Sequence, residues 1–294
     1  VHRKYPGYWL PDHYGAVYQR EGCFLLSEKC IDTYVDLASH KYGADVKNER
    51  MVSWGRRDKK EFDGTPKPLR VETSRGVYYS SKLILTVGSW ASLHIGALSR
   101  NARCTPERQV VGWFQPLEGK AGVFGGENEA NGRTTVNREF PVFNLQGDNR
   151  NGDGHSRYYG FPMHDVNWNG RVESFGFKIG RYHHLEESHQ DPEFLRSPPG
   201  PRDEALLRKA IHEFFPLANG RLQQMKTCLF TNSSDKHFII DKAPLCPSAV
   251  FAAGFSGHGF KFCSVVGEIL KELVTDGGES SERAKFLGLD RFVT

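Results

Sequence analysis

No run in the 294-residue chain approaches the ~18 consecutive apolar residues of a membrane span, and the opening Val1-His2-Arg3-Lys4-Tyr5-Pro6 lacks the layout of a secretory signal. A bilayer-spanning protein is therefore not expected, and the setting read from these absences is soluble and intracellular. The six cysteines (Cys23, Cys30, Cys104, Cys228, Cys246 and Cys263) contain no Cys-x-x-Cys pair, which argues against a zinc ribbon and against a dense disulfide framework. No metal is expected. The 39 basic and 35 acidic residues leave a net charge of only +4, and the basic side chains are dispersed, so the electrostatic footprint of a nucleic-acid binder is missing. There is no internal repeat, no low-complexity tract and no Gly-x-Gly-x-x-Gly fingerprint of a dinucleotide loop. What remains, at 38% hydrophobic and 25% charged, is a globular chain with length for about two domains and a small-molecule partner.

Residues 1–20 are rich in aromatics, Pro and Gly and read as irregular, with a short strand at Gly15-Ala16-Val17-Tyr18. Ser27 is placed to cap a helix whose apolar stripe is Ile31, Tyr34, Val35 and Ala38, with Gly43 ending it and a short strand following at Ala44-Asp45-Val46. Leu69–Thr73 and Gly76–Tyr79 read as a hairpin, and Lys82–Val87 as a buried strand running into Gly88-Ser89-Trp90, a turn suited to a cofactor edge. From about residue 106 the pattern becomes alternating and antiparallel: Val110–Phe114, Pro141–Asn144, Arg157–Phe161 and Ser174–Ile179, with 117–155 read as a long surface excursion. After Pro198–Pro201 a helix carries Leu207, Ala210, Ile211 and Phe214 on one face. Strands at Thr227–Thr231, His237–Asp241 and Ala249–Ala253 precede a last helix, about 258–274, which buries Phe262, Val265, Val266, Ile269, Leu270 and Leu273 and stops at Gly277-Gly278. The order αβ, β-rich, αβ implies one domain built from two separated segments, 21–105 and 226–294, and a second built from 1–20 and 106–225.

The most informative stretch runs from Ala249 to Phe262: an apolar strand, then Gly254-Phe255-Ser256-Gly257-His258-Gly259, then a helix start carrying Lys261. Glycines at 254, 257 and 259 permit positive φ and close approach of backbone to a ligand, and the free N–H groups of a helix start favour negative charge. The spacing Gly-x-x-Gly-x-Gly is not a pyrophosphate loop, so the pattern specifies an electron-rich or anionic ligand without naming it.

The chain resembles the monomeric sarcosine oxidase, N-methyltryptophan oxidase and pipecolate oxidase group of flavin amine oxidases on the D-amino-acid-oxidase-like fold. The resemblance is carried by Arg108–Gly112, Tyr158–Pro162, Gly176–Gly180, Cys228 with Thr231, His237–Asp241 and Gly254–Phe262. It implies an α/β (α+β) architecture: a discontinuous Rossmann-like FAD-binding domain plus an antiparallel, β-rich substrate domain. The family begins with a strand, Gly-x-Gly-x-x-Gly turn and helix, which nothing before Lys4 supplies, so the chain reads as lacking about the first βαβ unit.

For the site, the resemblance implies FAD held by Gly88, Trp90 and Gly254–Gly259, a thioether from Cys228 to the flavin, with Lys226 lowering the thiol's pKa, and Lys261 on the substrate carboxylate. Lys178 lies over the flavin ring, where fixed positive charge favours electron transfer to oxygen. Because Phe177 and Ile179 point the other way along the strand, Lys178 shares a face with Gly176 and Gly180, which leaves room for a planar ring. Tyr159, Phe230 and His183 or His184 line the substrate pocket; Arg181, an extra residue beside the family pattern, leaves the choice of histidine open. The implied activity is oxidation of a secondary N-alkyl amino acid by oxygen to imine, then amino acid and aldehyde, with hydrogen peroxide, in a monomer that is cytoplasmic or peroxisomal. Phe292-Val293-Thr294 is not a Ser-Lys-Leu-type address. Pipecolate or a fructosyl amino acid is the alternative substrate. A remnant or amino-acid-binding module without FAD is the reading of another class.

Overall fold

The computed structural model describes residues 1–58, 67–95, 102–130, 133–136, 140–147, 156–244, 246–275 and 284–292. In chain order the strands are β1 (Met51–Arg56), β2 (Leu69–Thr73), β3 (Val77–Ser80), β4 (Leu83–Leu85), β5 (Cys104–Phe114), β6 (Glu127–Ala130), β7 (Arg133–Val136), β8 (Phe143–Gln146), β9 (Arg157–Phe161), β10 (His164–Trp168), β11 (Arg171–Phe175), β12 (Phe177–Arg181), β13 (Leu222–Ser233), β14 (Ile239–Ala243) and β15 (Cys246–Ala253). The α-helices are α1 (Ser27–Asp36), α2 (Ala91–His94), α3 (Pro201–Phe214) and α4 (Cys263–Thr275). Two compact units result: Val1–Phe24, Arg108–Glu187 and Arg196–Cys228 form the first, and Leu25–Glu107, Ser188–Leu195 and Leu229–Thr294 the second. Ser188–Leu195, which the sequence division leaves with its neighbours, packs within the second unit.

The first unit is built on a sheet in the order β13-β5-β12-β9-β8, with β12 antiparallel to both β5 and β9. Alternation along the strands sorts side chains onto two faces. Val110, Phe114, Phe177, Ile179 and Tyr158 point into a core closed by Leu207, Ala210, Ile211 and Phe214 of α3. Those four helix positions recur at i, i+3, i+4 and i+7, the spacing that keeps one helix face against the sheet. Gly160 lies opposite Ile179, and a Cβ there would stand 2.1 Å from the Lys178 carbonyl oxygen and 2.5 Å from the Phe143 ring, so the strands close only over glycine.

The second unit contains the order β14-β15-β4, with β14 antiparallel and β4 parallel to β15, and a separate β1-β2-β3 sheet. Ala249–Ala253 are all buried, as expected of a strand covered on both faces. Val266, Ile269, Leu270 and Leu273 of α4 pack on Ile240, Val250 and Ala252.

Several local expectations are corrected. Gly15–Tyr18 and Ala44–Val46 form no strand; Val17 is fully exposed, and the Ala44 N–H bonds back to the Ala38 carbonyl in the preceding helical turn. Ser27 does not cap α1: Leu26 is the N-cap, and the Ser27 hydroxyl donates to Glu28. Ile31, Tyr34 and Val35 are exposed among the described residues, and α1 passes into a π-turn, Leu37–Lys41, before Gly43 ends it at φ +71°. The strand Lys82–Val87 shortens to Leu83–Leu85, of which only Leu85 is fully buried. Ser174–Ile179 is two strands, because at Gly176 the chain passes from the β10–β11 hairpin to the main sheet. The excursion 117–155 is not merely surface, since Phe124, Phe140, Phe143 and Leu145 enter the first unit's core. The last helix starts at Cys263 after a 3-10 turn at Phe260–Phe262, which leaves Phe262 exposed and Val265 half-buried. Gly277 and Gly278 lie outside the described residues.

Candidate functional site

In the second unit the parallel pairing matches Ala249–Phe251 with Leu83–Leu85, so Gly254 and Gly88, three residues beyond, leave the same sheet edge side by side. Both have positive φ, +67° and +53°. Carboxyl ends of adjacent parallel strands are where open α/β sheets bind ligands. Gly257 follows at φ +79°, where a Cβ would stand 2.5 Å from the Phe230 ring, and Ser256 is left-handed too, at φ +49°. Among the described residues, the N–H groups of Gly257, Gly259, Phe260 and Lys261 have no backbone acceptor. Chain neighbours aside, no described residue lies within 4 Å of a Cβ built on Gly88. Backbone donors without an acceptor beside left-handed glycines fit the electron-rich edge of a flavin.

Thr231 ties the two glycine turns together. Its hydroxyl meets that of Ser89 at 3.0 Å in a buried contact, and its carbonyl accepts from the Ser256 N–H at 2.9 Å. Ser233 continues the staple, its N–H donating to the Ser256 hydroxyl at 3.3 Å. Trp90 closes the 3-10 turn Gly88–Trp90 and is half-buried. Lys261 is exposed, with Nζ donating to the His258 carbonyl at 2.9 Å. It also edges an apolar cleft of about 440 Å³ lined by Phe238, Phe262, Val265 and Ile269.

In the first unit, Lys178 has Trp113 and Phe161 as its cross-strand partners on β5 and β9. Its side chain is therefore on the face opposite Phe177 and Ile179, as expected. The ammonium stands 4.4 Å from the Phe161 ring centroid and 5.0 Å from that of Trp113. Tyr159 lies across from Gly180, whose missing Cβ would meet the Tyr159 ring at 2.7 Å, and packs on Tyr182 at 4.9 Å. Burial pushes the Tyr159 hydroxyl far above its ordinary pKa, with Cys228 and Tyr182 adding to the rise. Cys228 presents surface to solvent, yet the side chains around it withdraw the thiol from water and raise its pKa. The charge opposing that rise is Lys178, not Lys226 as the sequence suggests. Lys226 instead sits 5.7 Å from the Trp113 ring.

The two histidines differ sharply. His183 is exposed and left-handed, at φ +54°. His184 is wholly buried, its Nε2 3.0 Å from Asp203 Oδ1, and this ties its imidazole into a structural network rather than a pocket wall. Arg108 grips the same carboxylate with two bonds, at 2.8 and 3.0 Å, and Asp203 also accepts the Gly200 N–H at 2.7 Å, capping α3. Burial alone would raise Asp203, but Arg108, Gly200 and His184 outweigh it and hold its pKa at about 2. Sequence reading missed this network, because Arg108, His184 and Asp203 are far apart in the chain. It also missed Trp113, hidden in an ordinary alternating strand.

The family model described as FAD dependent oxidoreductase (DAO) matches residues 1–273. The chain is 35% identical over 279 residues to a monomeric sarcosine oxidase of Bacillus sp. (strain B-0618), covering 94% of this chain and 62% of that protein. It is 29% identical over 295 residues to an N-methyl-L-tryptophan oxidase of Citrobacter koseri, covering 98% and 66%. It thus spans about three-fifths of the length of the curated relatives it matches. Among solved structures, the amino acid oxidase NikD in its open form superposes with a TM-score of 0.60 at 15% identity, covering 85% of this chain and 56% of that one, a likeness of fold.

Proposed function

The chain belongs to the FAD-dependent oxidoreductase family, and on that premise we propose that it serves the oxidation of a secondary N-alkyl amino acid, sarcosine-like, with oxygen as acceptor. The observation that carries this reading is the parallel pair β4 and β15, whose neighbouring carboxyl ends open into left-handed glycines beside unpartnered N–H groups. In this reading the second unit is the FAD-binding domain and the first the substrate domain. When bound, FAD supplies the redox chemistry, accepting a hydride equivalent from the amine and passing the electrons to oxygen. The N–H groups of Gly257, Gly259, Phe260 and Lys261 would stabilise negative charge on the reduced cofactor. Lys261 pairs with the substrate carboxylate, trading its present bond to the neutral His258 carbonyl for one to an ionised acceptor. Lys178 supplies fixed positive charge for the oxygen step. Tyr159, Phe230 and exposed His183 contact substrate; the wholly buried His184 holds Asp203 instead. With sarcosine, oxygen and water the products are glycine, formaldehyde and hydrogen peroxide.

Cys228 is assigned the covalent bond to the cofactor. Burial raises its thiol pKa, and the nearby Lys178 charge opposes that rise by favouring the thiolate that would form the bond. Acid-precipitated flavin-loaded protein should stay yellow, and the Cys228→Ser variant should give a colourless pellet; a colourless wild-type pellet rejects the link. Peroxide release from flavin-loaded protein on a panel of N-methyl, cyclic and fructosyl amino acids tests the activity. Release on N-methyl amino acids supports the reading, whereas release confined to pipecolate or fructosyl substrates moves the assignment to those. No peroxide from any member, in protein shown to hold FAD, overturns it in favour of a non-catalytic binding module.

A further inference from the structure

Lys178 does not stand alone on its sheet face. Trp113 on β5 and Phe161 on β9 pair directly with it across the sheet, and both rings lie within cation–π range of its ammonium, at 5.0 and 4.4 Å. Further rings back these two. Phe24 stacks on Phe161 at 5.0 Å and 17°, and His164 packs on Phe24 at 4.7 Å. His164 in turn stacks on Phe175 at 5.3 Å and 14°, and Phe175 leans on Trp113 at 6.1 Å. The five rings run as one chain from Phe161 to Trp113, and the Lys178 ammonium bridges its two ends, so neither Trp113 nor Phe161 can swing away without breaking an aromatic contact. Trp113 is 7% exposed, and its Nε1 makes no hydrogen bond among the described residues. The indole is thus held by packing, and its contribution is its π face.

We propose that Trp113 and Phe161 are positioning residues that clamp the Lys178 ammonium between two π faces. This rests on the reading of Lys178 as the charge that serves the oxygen step. A lysine stem has four rotatable bonds and a heavily hydrated head, so an unclamped ammonium spreads its charge over many positions. Two aromatic faces fix it and leave the charge intact, because the ring quadrupole attracts the cation without carrying a net charge. The two positions flanking Lys178 on this face are glycines for their own steric reasons: a Cβ on Gly176 would stand 2.6 Å from the Phe114 carbonyl oxygen, and one on Gly180 2.7 Å from the Tyr159 ring.

The test uses flavin-loaded protein carrying Trp113→Leu, Trp113→Phe, Phe161→Leu or Lys178→Met. Cofactor is reduced by substrate without oxygen and then mixed with oxygen, so that reduction and reoxidation are timed separately. Each leucine variant should reoxidise about 3- to 30-fold more slowly, the span of one partly desolvated cation–π contact, with reduction changed less than about 2-fold. Trp113→Phe, which keeps a π face, should recover most of the rate. In protein labelled with 13C-lysine, the Lys178 ε-methylene signal, assigned by its loss in Lys178→Met, should lie upfield from ring currents and move toward the free-lysine position in Trp113→Leu and Phe161→Leu. Should Lys178→Met itself reoxidise at the wild-type rate, the reading of Lys178 fails. If Lys178→Met is slow while every leucine variant that folds by circular dichroism matches wild type in rate and ε-methylene shift, the clamp is wrong. Phe161→Leu keeps that outcome accessible if the buried Trp113→Leu does not fold.

Discussion

Replacing Asp203 by Asn strikes a deeply buried ionic contact of the first unit. Arg108 is 4% exposed and bonded twice to Asp203, with Glu187 at 3.3 Å as a half-exposed second acid. Removing one member of such a pair leaves an uncompensated buried charge, at a cost of about 3–5 kcal/mol. The remaining Glu187 contact and the retained amide oxygen place the variant near the lower bound, about 3 kcal/mol. At roughly 2–4 °C per kcal/mol for a chain of this size, calorimetry at pH 7 should show the melting transition falling by about 6–12 °C. The pH dependence gives a second reading. Asp203 falls from an ordinary 3.8 to about 2 in the fold, which by linkage is worth about 2 kcal/mol. Because the folded pKa is the lower one, that stability is fully present above pH 3.8 and is lost as pH falls through 2. Wild type should lose it in that window in urea melts, and Asp203→Asn should lack this component. The paired change Arg108→Met with Asp203→Leu should recover much of the loss, since it removes both charges. A variant melting within 2 °C of wild type, with an unchanged acid profile, would refute the claim that this network supports the fold.

Gly257→Ala places a Cβ 2.5 Å from the Phe230 ring at φ +79°; strain of about 1–3 kcal/mol should lower the flavin-to-protein absorbance ratio after gel filtration, and adding Phe230→Ala should restore only part of it, because the backbone strain persists. Thr231→Val removes the 3.0 Å contact to buried Ser89 and should cost about 1–3 kcal/mol, read as a lower melting temperature together with weaker flavin retention; unchanged retention would mean that the staple does not hold the turns. Gly160→Ala, whose Cβ would meet the Lys178 carbonyl at 2.1 Å, should cost at least about 3 kcal/mol as an overpacked core position and appear as loss of soluble protein, whereas Gly43→Ala, left-handed but with open space around it, should cost only about 1 kcal/mol.

Much of this protein is written in local chemistry. The alternation in Arg157–Phe161 and the helical spacing of Leu207, Ala210, Ile211 and Phe214 each bury one predictable face, the largely apolar runs Val110–Phe114 and Ala249–Ala253 are buried on both, and so their elements are legible without tertiary knowledge. The same holds for Gly254 and Gly257, whose left-handed backbone only glycine adopts cheaply, and for Lys178, whose face follows from strand parity. Where a segment has no period of its own, its fate depended on what the fold placed beside it: Gly15–Tyr18 found no strand partner, and Phe124, Phe140 and Phe143 of a polar, glycine-rich stretch became core. Only the tertiary structure set Gly88 beside Gly254 through parallel pairing, stapled both turns by Thr231, closed Arg108, His184 and Asp203 into one buried network, and surrounded Lys178 with rings. Those contacts join residues well beyond the span of a helical or strand repeat, and short-range periodicity carries no information about which distant strands will pair or which buried charge will meet its partner.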